Sequence, residues 1–495
     1  MRAFRALRGD PRPSYDVVVI GAGIGGLICA ALVARSGARV LLVEQHYMVG
    51  GYCSTFRRGA FIFDAGTHFY PLLGNPQTIT GGLLEQIGCR TRWAKMDPVD
   101  HFHFPDGSSF SVSADFGEYL DALKATFPHE VEALDRFFVK VREAYLYGLL
   151  YYFRGREHQR FGPLRDLTLL DELLREFRDP KLRLLLAADC AHWGSRPSRT
   201  SFVFDAMLRL SYFLGNYYPE GGSQTFADDL ARVVEEAGGD ILMRSMVERI
   251  LVEDGTAVGL EVSTGLGAAR HRVVVRAGHV VSNADLTLTL EHMLGPEVVG
   301  EHLIRAARAL RPSSPCFLVH LGLRDLPLSA IAPAAGYHWR SWDADDVVYD
   351  AFKIFIPTMY EPALAPAGGQ VIVLQRIMEI GYDRVANWAE HKARVEDDLV
   401  DRLETAVPGL KGHIVSRQSA SALTSWRFTL NRAGAMLGWE MSPQQLGDGR
   451  PATEGPVRNL HFVGHWTRPG GGITPVIISA MQVAQRISAS PFQTQ

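Results

Sequence analysis

Cysteine is sparse in this chain of 495 residues: the five (Cys29, Cys53, Cys89, Cys190, Cys316) are scattered, odd in number and never in a Cys-x-x-Cys. That pattern excludes a disulfide-stapled scaffold and points to a reducing compartment. No run of about eighteen uninterrupted apolar residues occurs, which argues against a membrane-spanning helix. Neither sign of charge dominates, since 51 Lys and Arg against 54 Asp and Glu leave a net charge of -3. With no arginine-rich arm, no nucleic acid is expected as a partner, and no zinc-type ligand spacing suggests a metal. Internal repeats and low-complexity tracts are missing too, which removes solenoid architectures. Met1 to Pro13 carries four arginines but no apolar stretch, and reads as a loose leader rather than a signal peptide.

What is present is apolar and glycine-rich. The composition is 47% hydrophobic, and the length exceeds one ordinary core, so two domains are expected. The most informative stretch is Tyr15-Asp-Val-Val-Val-Ile-Gly-Ala-Gly-Ile-Gly-Gly-Leu27 followed by Val40-Leu-Leu-Val-Glu44. A β-branched strand runs into Gly21, which permits a sharp turn; Gly23 lets the backbone approach a pyrophosphate, and Gly26 lets the next helix pack closely on the sheet. That helix points unpaired N–H groups at phosphate. Glu44, about twenty residues beyond the glycines as the fingerprint requires, is placed to accept hydrogen bonds from ribose hydroxyls.

The identity of the dinucleotide comes from further along. After Glu44 and Gln45 the pair Gly50-Gly51 brings a second bare stretch of backbone beside the first, and Phe61 to Phe69 reads as a short strand ending in a glycine turn. Near the other end, Leu460-His-Phe-Val-Gly-His-Trp-Thr-Arg-Pro-Gly-Gly-Gly-Ile-Thr-Pro-Val476 repeats the strand, glycine loop and helix of a phosphate cradle. Gly464, His465, Gly472, Ile473, Thr474 and Val476 are its candidate contacts. The positive end of the closing helix favours an anionic reduced ring. FAD is long enough to touch both regions and is the expected cofactor.

Together these motifs resemble the phytoene desaturase, carotenoid isomerase and retinol saturase family of flavoproteins. Tyr218-Pro-Glu-Gly-Gly222 is similar to that family's Tyr-Pro-x-Gly-Gly segment, and Pro357 to Gly368 resembles its Pro-Ser-Leu-Ala-Pro-x-Gly stretch. Val247-Glu-Arg-Ile250 is similar to the strand that presents a backbone valine, here Val247, to the adenine. His465 stands where many of the broader amine-oxidase-like group carry Asp. The resemblance implies an α/β fold: a discontinuous Rossmann-like FAD domain of the glutathione-reductase type, plus an α+β substrate domain with an antiparallel sheet and a helical cap. Residues 1–75, 219–290 and 455–495 are assigned to the FAD domain, and 76–218 with 291–454 to the substrate domain. Asp115 to Ala144 and Leu167 to Leu186 show helical spacing of apolar residues, and His338 to Leu374 suggests the antiparallel sheet.

The implied activity is FAD-dependent oxidoreduction at C–C or C=C bonds of a long apolar polyene, desaturation ranking first. Redox-neutral cis-trans isomerisation and retinol saturase-like reduction are the alternatives, and a prenyl-lipid escort protein with the same fold is the alternative from another class. The electron acceptor is not legible. A cytoplasmic protein associated peripherally with a membrane is expected, through Tyr145-Leu-Tyr-Gly-Leu-Leu-Tyr-Tyr-Phe153 and Arg154, Arg156, Arg160 and Arg165, which suit a headgroup boundary. A buried helix face with a solvated basic end fits that segment equally well. Flavin chemistry asks little of side chains beyond orientation and proton handling. The candidates are His68 and Tyr70 just after a glycine turn, Arg427 as a partner for reduced flavin or a carboxylate, and Trp466 beside the ring. His192-Trp193 and Tyr217-Tyr218 can line a polyene tunnel, although ordinary packing explains each alone.

Overall fold

The protein is described by a computed structural model covering residues 4–154, 156, 158–265, 267–379, 381 and 385–489. The first three residues of the leader and the last six of the expected FAD domain lie outside the described residues, as do the side chains of Phe153 and Arg154.

Two seven-stranded sheets organise the chain. The first has a parallel core in the order Asp240–Leu242, Val40–Val43, Ser14–Ile20, His271–Ser282 and Leu460–Phe462. Its unbroken apolar strands, such as Val17 to Ile20, are buried on both faces, as parallel strands require. Register places Ile20 beside Val43 and Ser282, Val43 beside Leu242, and Ser282 beside Phe462. All five strands therefore end at one level, and the crevice beyond that edge is where a doubly wound sheet binds its ligand. The hairpin Met246–Glu253 and Thr256–Thr264 extends the sheet antiparallel to His271–Ser282. Helix Ile24–Arg35 is small-residue and buried on nearly every side, because helices Ser223–Glu236 and Ile473–Ala489 both pack on it.

The second sheet runs Ile414–Ala420, Cys316–Arg324, Gly369–Ile377, Phe352–Phe355, Gly336–His338, Asp100–His103 and Ser109–Val112. All its pairings are antiparallel except that of Gly336–His338 with Asp100–His103. The cap is built from Phe116–Thr126, Val131–Arg154, Leu169–Glu176, Pro180–Ala187 and Phe202–Tyr212. Each of the two long helices anticipated there is split in two. Pro128 opens a fresh turn before Val131, and Pro180 restarts the chain behind Asp179, whose carboxylate accepts from the N–H of Lys181 and Leu182. Proline fits a helix's first turn and breaks its interior, while apolar spacing continues through both breaks. Among the described residues no helix is long and apolar enough to cross a membrane.

The second sheet is tied to helix Ser223–Glu236, which packs beside the first, at Asp64, which ends strand Phe61–Asp64. Its carboxylate accepts from Tyr218 Oη and from the N–H of Ser223 at 3.0 Å, and its carbonyl accepts from His320 Nε2 at 2.9 Å. His320, 1% exposed on strand Cys316–Arg324, packs edge-on against Phe56 and Phe63. Burial pushes its pKa down to about 4. On acidification the unfolded chain takes up this proton from pH 6.5 downward whereas the native chain does so only near 4, so stability falls as pH drops through that window. His320→Gln is therefore expected to lose less stability than the parent between pH 7 and 5, by about 2 kcal/mol. Urea unfolding at the two pH values measures this, and equal losses would contradict it.

Candidate functional site

A cavity of about 710 Å3 opens at the shared edge of the first sheet and continues between the second sheet and the helical cap. Its nucleotide half is walled by backbone, and the spacing shows why glycine is needed. A Cβ on Gly26 would sit 2.0 Å from the Gly21 carbonyl oxygen, so the helix crosses the strand end only without a side chain there. Gly50 N–H donates to Ala22 O at 2.7 Å, bringing the second glycine pair against the first turn. The C-terminal loop closes in from the opposite side: a Cβ on Gly25 would meet Gly464 Cα at 3.2 Å and Val476 at 3.1 Å. Between them stands Asn283, whose amide would lie 2.9 Å from a Cβ on Gly23 and 2.6 Å from one on Gly464. A groove so bare of side chains, at a helix N-terminus, fits a pyrophosphate.

Gly21, Gly23, Glu44, Gln45, Gly50, Gly51, Val247, Gly464, His465, Gly472, Ile473, Thr474 and Val476 all line this cavity. The ends of the chain thus converge on one cleft. Gly26 lies behind the wall, in the packing position expected of it. Each Glu44 oxygen accepts one backbone N–H, from Ala22 at 2.7 Å and His46 at 2.8 Å, which aims the carboxylate and leaves lone pairs for a ribose. Burial raises its pKa against the pull of those donors.

The catalytic candidates separate. His68 lines the cavity, stacked on Phe355 at 4.5 Å, with Nδ1 3.0 Å from the Gly66 carbonyl. Burial, with Lys353 nearby, pushes its pKa down to about 3, so the ring is neutral. A carbonyl only accepts, so Nδ1 carries the hydrogen and Nε2 keeps a free lone pair. Tyr70 does not reach the cavity; it is buried in the apolar core beside the first sheet, against Trp93 and Phe226. Trp466 is turned away from the cavity as well, packed edge-on against Trp439 at 4.6 Å and donating to Asn431 Oδ1 at 3.0 Å. Arg427 is exposed on helix Ala422–Thr429 and takes no part in the wall, whereas its neighbour Phe428 does.

A buried cation behind the glycine loop, Arg450, was missed by sequence reasoning. It donates to the carbonyls of His465 at 2.9 Å and of Trp439, Gln445 and Thr467 at 3.2 Å each. Desolvation pushes its pKa down to about 9. His465 is neutral, its pKa lowered to about 3 by burial and by Arg450, and the charged guanidinium holds the glycine loop in place from behind.

The other half of the cavity is largely apolar, with Leu149, Phe204, Met207, Leu318 and Met436 among its walls. The segment anticipated as a membrane contact contributes Tyr145, Leu149 and Tyr152 to that wall. Tyr147 stacks on His158 and Arg160 pairs with Glu143 at 3.0 Å, so part of the basic end is already neutralised. Trp193 and His192 also line the cavity, and so does Tyr212; of Tyr217 and Tyr218 neither does. Behind His192 lies a buried ionic cluster that the sequence reading did not find: Lys353 Nζ is 2.7 Å from Asp100 Oδ2, and His192 Nε2 is 3.2 Å from that same oxygen. The available signal was a lysine inside the apolar strand Phe352–Phe355.

Comparison with known proteins agrees with this geometry. The family described as flavin containing amine oxidoreductase matches residues 24–488. A prolycopene isomerase of an Oncidium hybrid cultivar is 28% identical, over 96% of this chain and 84% of its own. The lycopene-forming phytoene desaturase of Pseudescherichia vulneris is 26% identical, over 94% and 98% respectively. Among solved structures, an oxidoreductase from Methanosarcina mazei is similar in fold, with a TM-score of 0.66 at 19% identity over 95% of this chain and all (100%) of that one.

Replacing Arg450 by Met leaves four carbonyls without their donor and slackens the C-terminal loop. Arg450→Met is expected to destabilise the flavin-loaded protein by about 3 kcal/mol or more. Thermal unfolding, with the flavin-to-protein absorbance ratio after gel filtration, measures the effect; parental values for both would refute it.

Proposed function

The chain belongs to the flavin containing amine oxidoreductase family, and from that premise we propose that it desaturates a long apolar polyene in the cavity described above. The observation that carries the reading is the continuity of a glycine-walled nucleotide groove with a largely apolar cavity. Its cofactor is FAD, which when bound supplies the centre that exchanges hydrogen with carbon. In this reading residues 1–75, 219–290 and 455–495 form the FAD domain and 76–218 with 291–454 the substrate domain. The Gly21, Gly23, Gly50 and Gly51 backbone and the N-terminus of helix Ile473–Ala489 hold the phosphates and the ring, Glu44 and Gln45 the ribose end, and Val247 the adenine.

The remaining work falls to the protein. Leu149, Phe204, Met207 and Leu318 align the chain of the substrate and keep water out. Loss of hydrogen from adjacent carbons leaves one proton to be accepted, and the neutral His68 offers Nε2 on the cavity wall for it. Isomerisation is the second reading, favoured by the prolycopene isomerase whose sequence aligns along nearly the whole chain. Anaerobic incubation of the FAD-loaded protein with phytoene and with a poly-cis lycopene, followed by chromatography and mass measurement, separates the readings. Desaturation predicts loss of two hydrogens from phytoene with bleaching of the flavin. Unchanged mass with an altered spectrum from the poly-cis substrate gives the isomerase, a gain of hydrogen by reduced enzyme gives a saturase, and no turnover of either polyene refutes the proposal.

Such substrates dissolve in bilayers, so peripheral attachment to a membrane from the cytoplasm belongs to the same reading. Support comes from Ile79 and Leu214, which lie on the cavity wall yet are 59% and 45% exposed, and so mark an apolar rim. The FAD-loaded protein should float with liposomes, and Ile79→Glu with Leu214→Glu should reduce the floating fraction several-fold. Failure of the parent to float would refute attachment, and an unchanged double variant would refute this rim.

A further inference from the structure

The row of residues that crosses the second sheet under the cavity is not what a hydrocarbon alone would call for. Lys353, Gln375, Leu318 and Ala420 are direct cross-strand neighbours in antiparallel pairing, so all four point to one face. Leu318, Ala420 and Gln375 line the cavity. Gln375 is 6% exposed, and its Oε1 is buried without a hydrogen-bond partner among the described residues. It follows the apolar run Val371-Ile-Val-Leu374, where a leucine would complete the wall at no cost. A buried amide oxygen in a native protein normally has a partner, whether protein, ordered water or a bound group, and one on a residue of the cavity wall can find it in a ligand.

The groups around it are polar and tightly held. Lys353, its neighbour in the row, reaches His192 Nε2 at 3.3 Å as well as Asp100, while its ammonium lies over Phe69 at 4.0 Å. His192 Nδ1 meets Tyr212 Oη at 2.8 Å and lies 3.6 Å from Asp189. His192, Tyr212 and His68 all reach the cavity surface, and His68 presents the lone pair of Nε2. The groups left without a partner include two acceptors, Gln375 Oε1 and His68 Nε2, beside the Gln375 amide N–H2 and Tyr337 Oη, which can donate.

We propose that this part of the cavity is a subsite for a hydroxyl group of the substrate, which donates to Gln375 with His192 and Tyr212 beside it. A hydroxylated polyene is then bound in preference to a bare hydrocarbon, which the same cavity still admits. The proposal rests on the reading of the cavity as a polyene site and narrows it. A carbonyl satisfies neither unpaired acceptor, since it brings no hydrogen, whereas a hydroxyl donates to one and can accept from a neighbour.

The test compares lycopene with lycoxanthin, which is lycopene bearing one terminal hydroxyl. Both are titrated in detergent into the FAD-loaded protein, and binding is read from quenching of tryptophan fluorescence. The parent is expected to bind lycoxanthin about tenfold more tightly. Gln375→Leu should erase that ratio while keeping its affinity for lycopene and its flavin; where the leucine variant loses flavin, Gln375→Met reads the same ratio. Tyr212→Phe should reduce the ratio less, because it removes one neighbour and not the acceptor. Equal affinity of the parent for both polyenes, or a tenfold ratio surviving in the Gln375 variants, overturns the hydroxyl subsite and leaves the polyene reading standing. Binding of neither polyene overturns both.

Discussion

The contact on which the rest of the structure depends is the meeting of three distant turns around Asn283. The parallel register ends Ser14–Ile20, His271–Ser282 and Leu460–Phe462 at the same height. The loops that follow must therefore share one small volume. They share it because Gly23, Gly25 and Gly464 present no side chain to the Asn283 amide, and because Asn283 is itself pinned by its N–H to Ile20 O at 2.9 Å. Most of the backbone that would touch a pyrophosphate is positioned by this packing and by neighbouring backbone hydrogen bonds. Few side chains there have to be ordered on binding. Rigidity of that kind lowers the entropic cost of holding a long cofactor.

The same logic explains which parts of the site can be read from the residues alone. Glycines next to β-branched strands declare a backbone approach, since only a missing Cβ permits it, and so both cradles are visible without the fold. Glu44 is visible for a related reason: its distance from the glycines is set by one crossover helix of standard length. The helical cap is legible as helix and illegible in its breaks, because the apolar spacing runs through Pro128 and Pro180 without a change of phase. Asn283 reads as a turn residue and not as the keystone, since its role arises from a loop about 180 residues away, beyond the reach of local pattern.

Side chains whose task depends on direction are harder. His68, Phe69 and Tyr70 follow one another outside any helix or strand, yet the first two reach the cavity and the third is buried against Trp93. Strict alternation would put His68 and Tyr70 on one side and Phe69 on the other, so the observed split is set by tertiary packing and not by strand phase. The place of Trp466 in the glycine loop suggests the ring, but an indole also needs a hydrogen-bond partner when buried, and Asn431 supplies it while Trp439 packs against the ring. Arginine is misplaced for a comparable reason. Arg427 sits between aromatic residues and looks sheltered, whereas Arg450 sits among glycines and prolines and looks like a loop residue; burial follows where the carbonyls converge, and four of them converge on Arg450.

Buried charge in the substrate half raises the question of what keeps it there. Removing an ammonium and two carboxylates from water costs several kcal/mol per ion, roughly, even after relaxation. The Lys353–Asp100 contact and the aromatic faces of Phe69 and Tyr337 offset much of that, and burial still pulls the Lys353 pKa below its usual range. His192 is different because each of its nitrogens has both kinds of partner: Nε2 lies near the Lys353 donor and the Asp100 acceptor, and Nδ1 near Tyr212 and Asp189. An apolar wall of the same shape would be easier to stabilise, so a polar wall whose members are each held by several partners is better understood as a feature retained for the ligand than as one retained for folding.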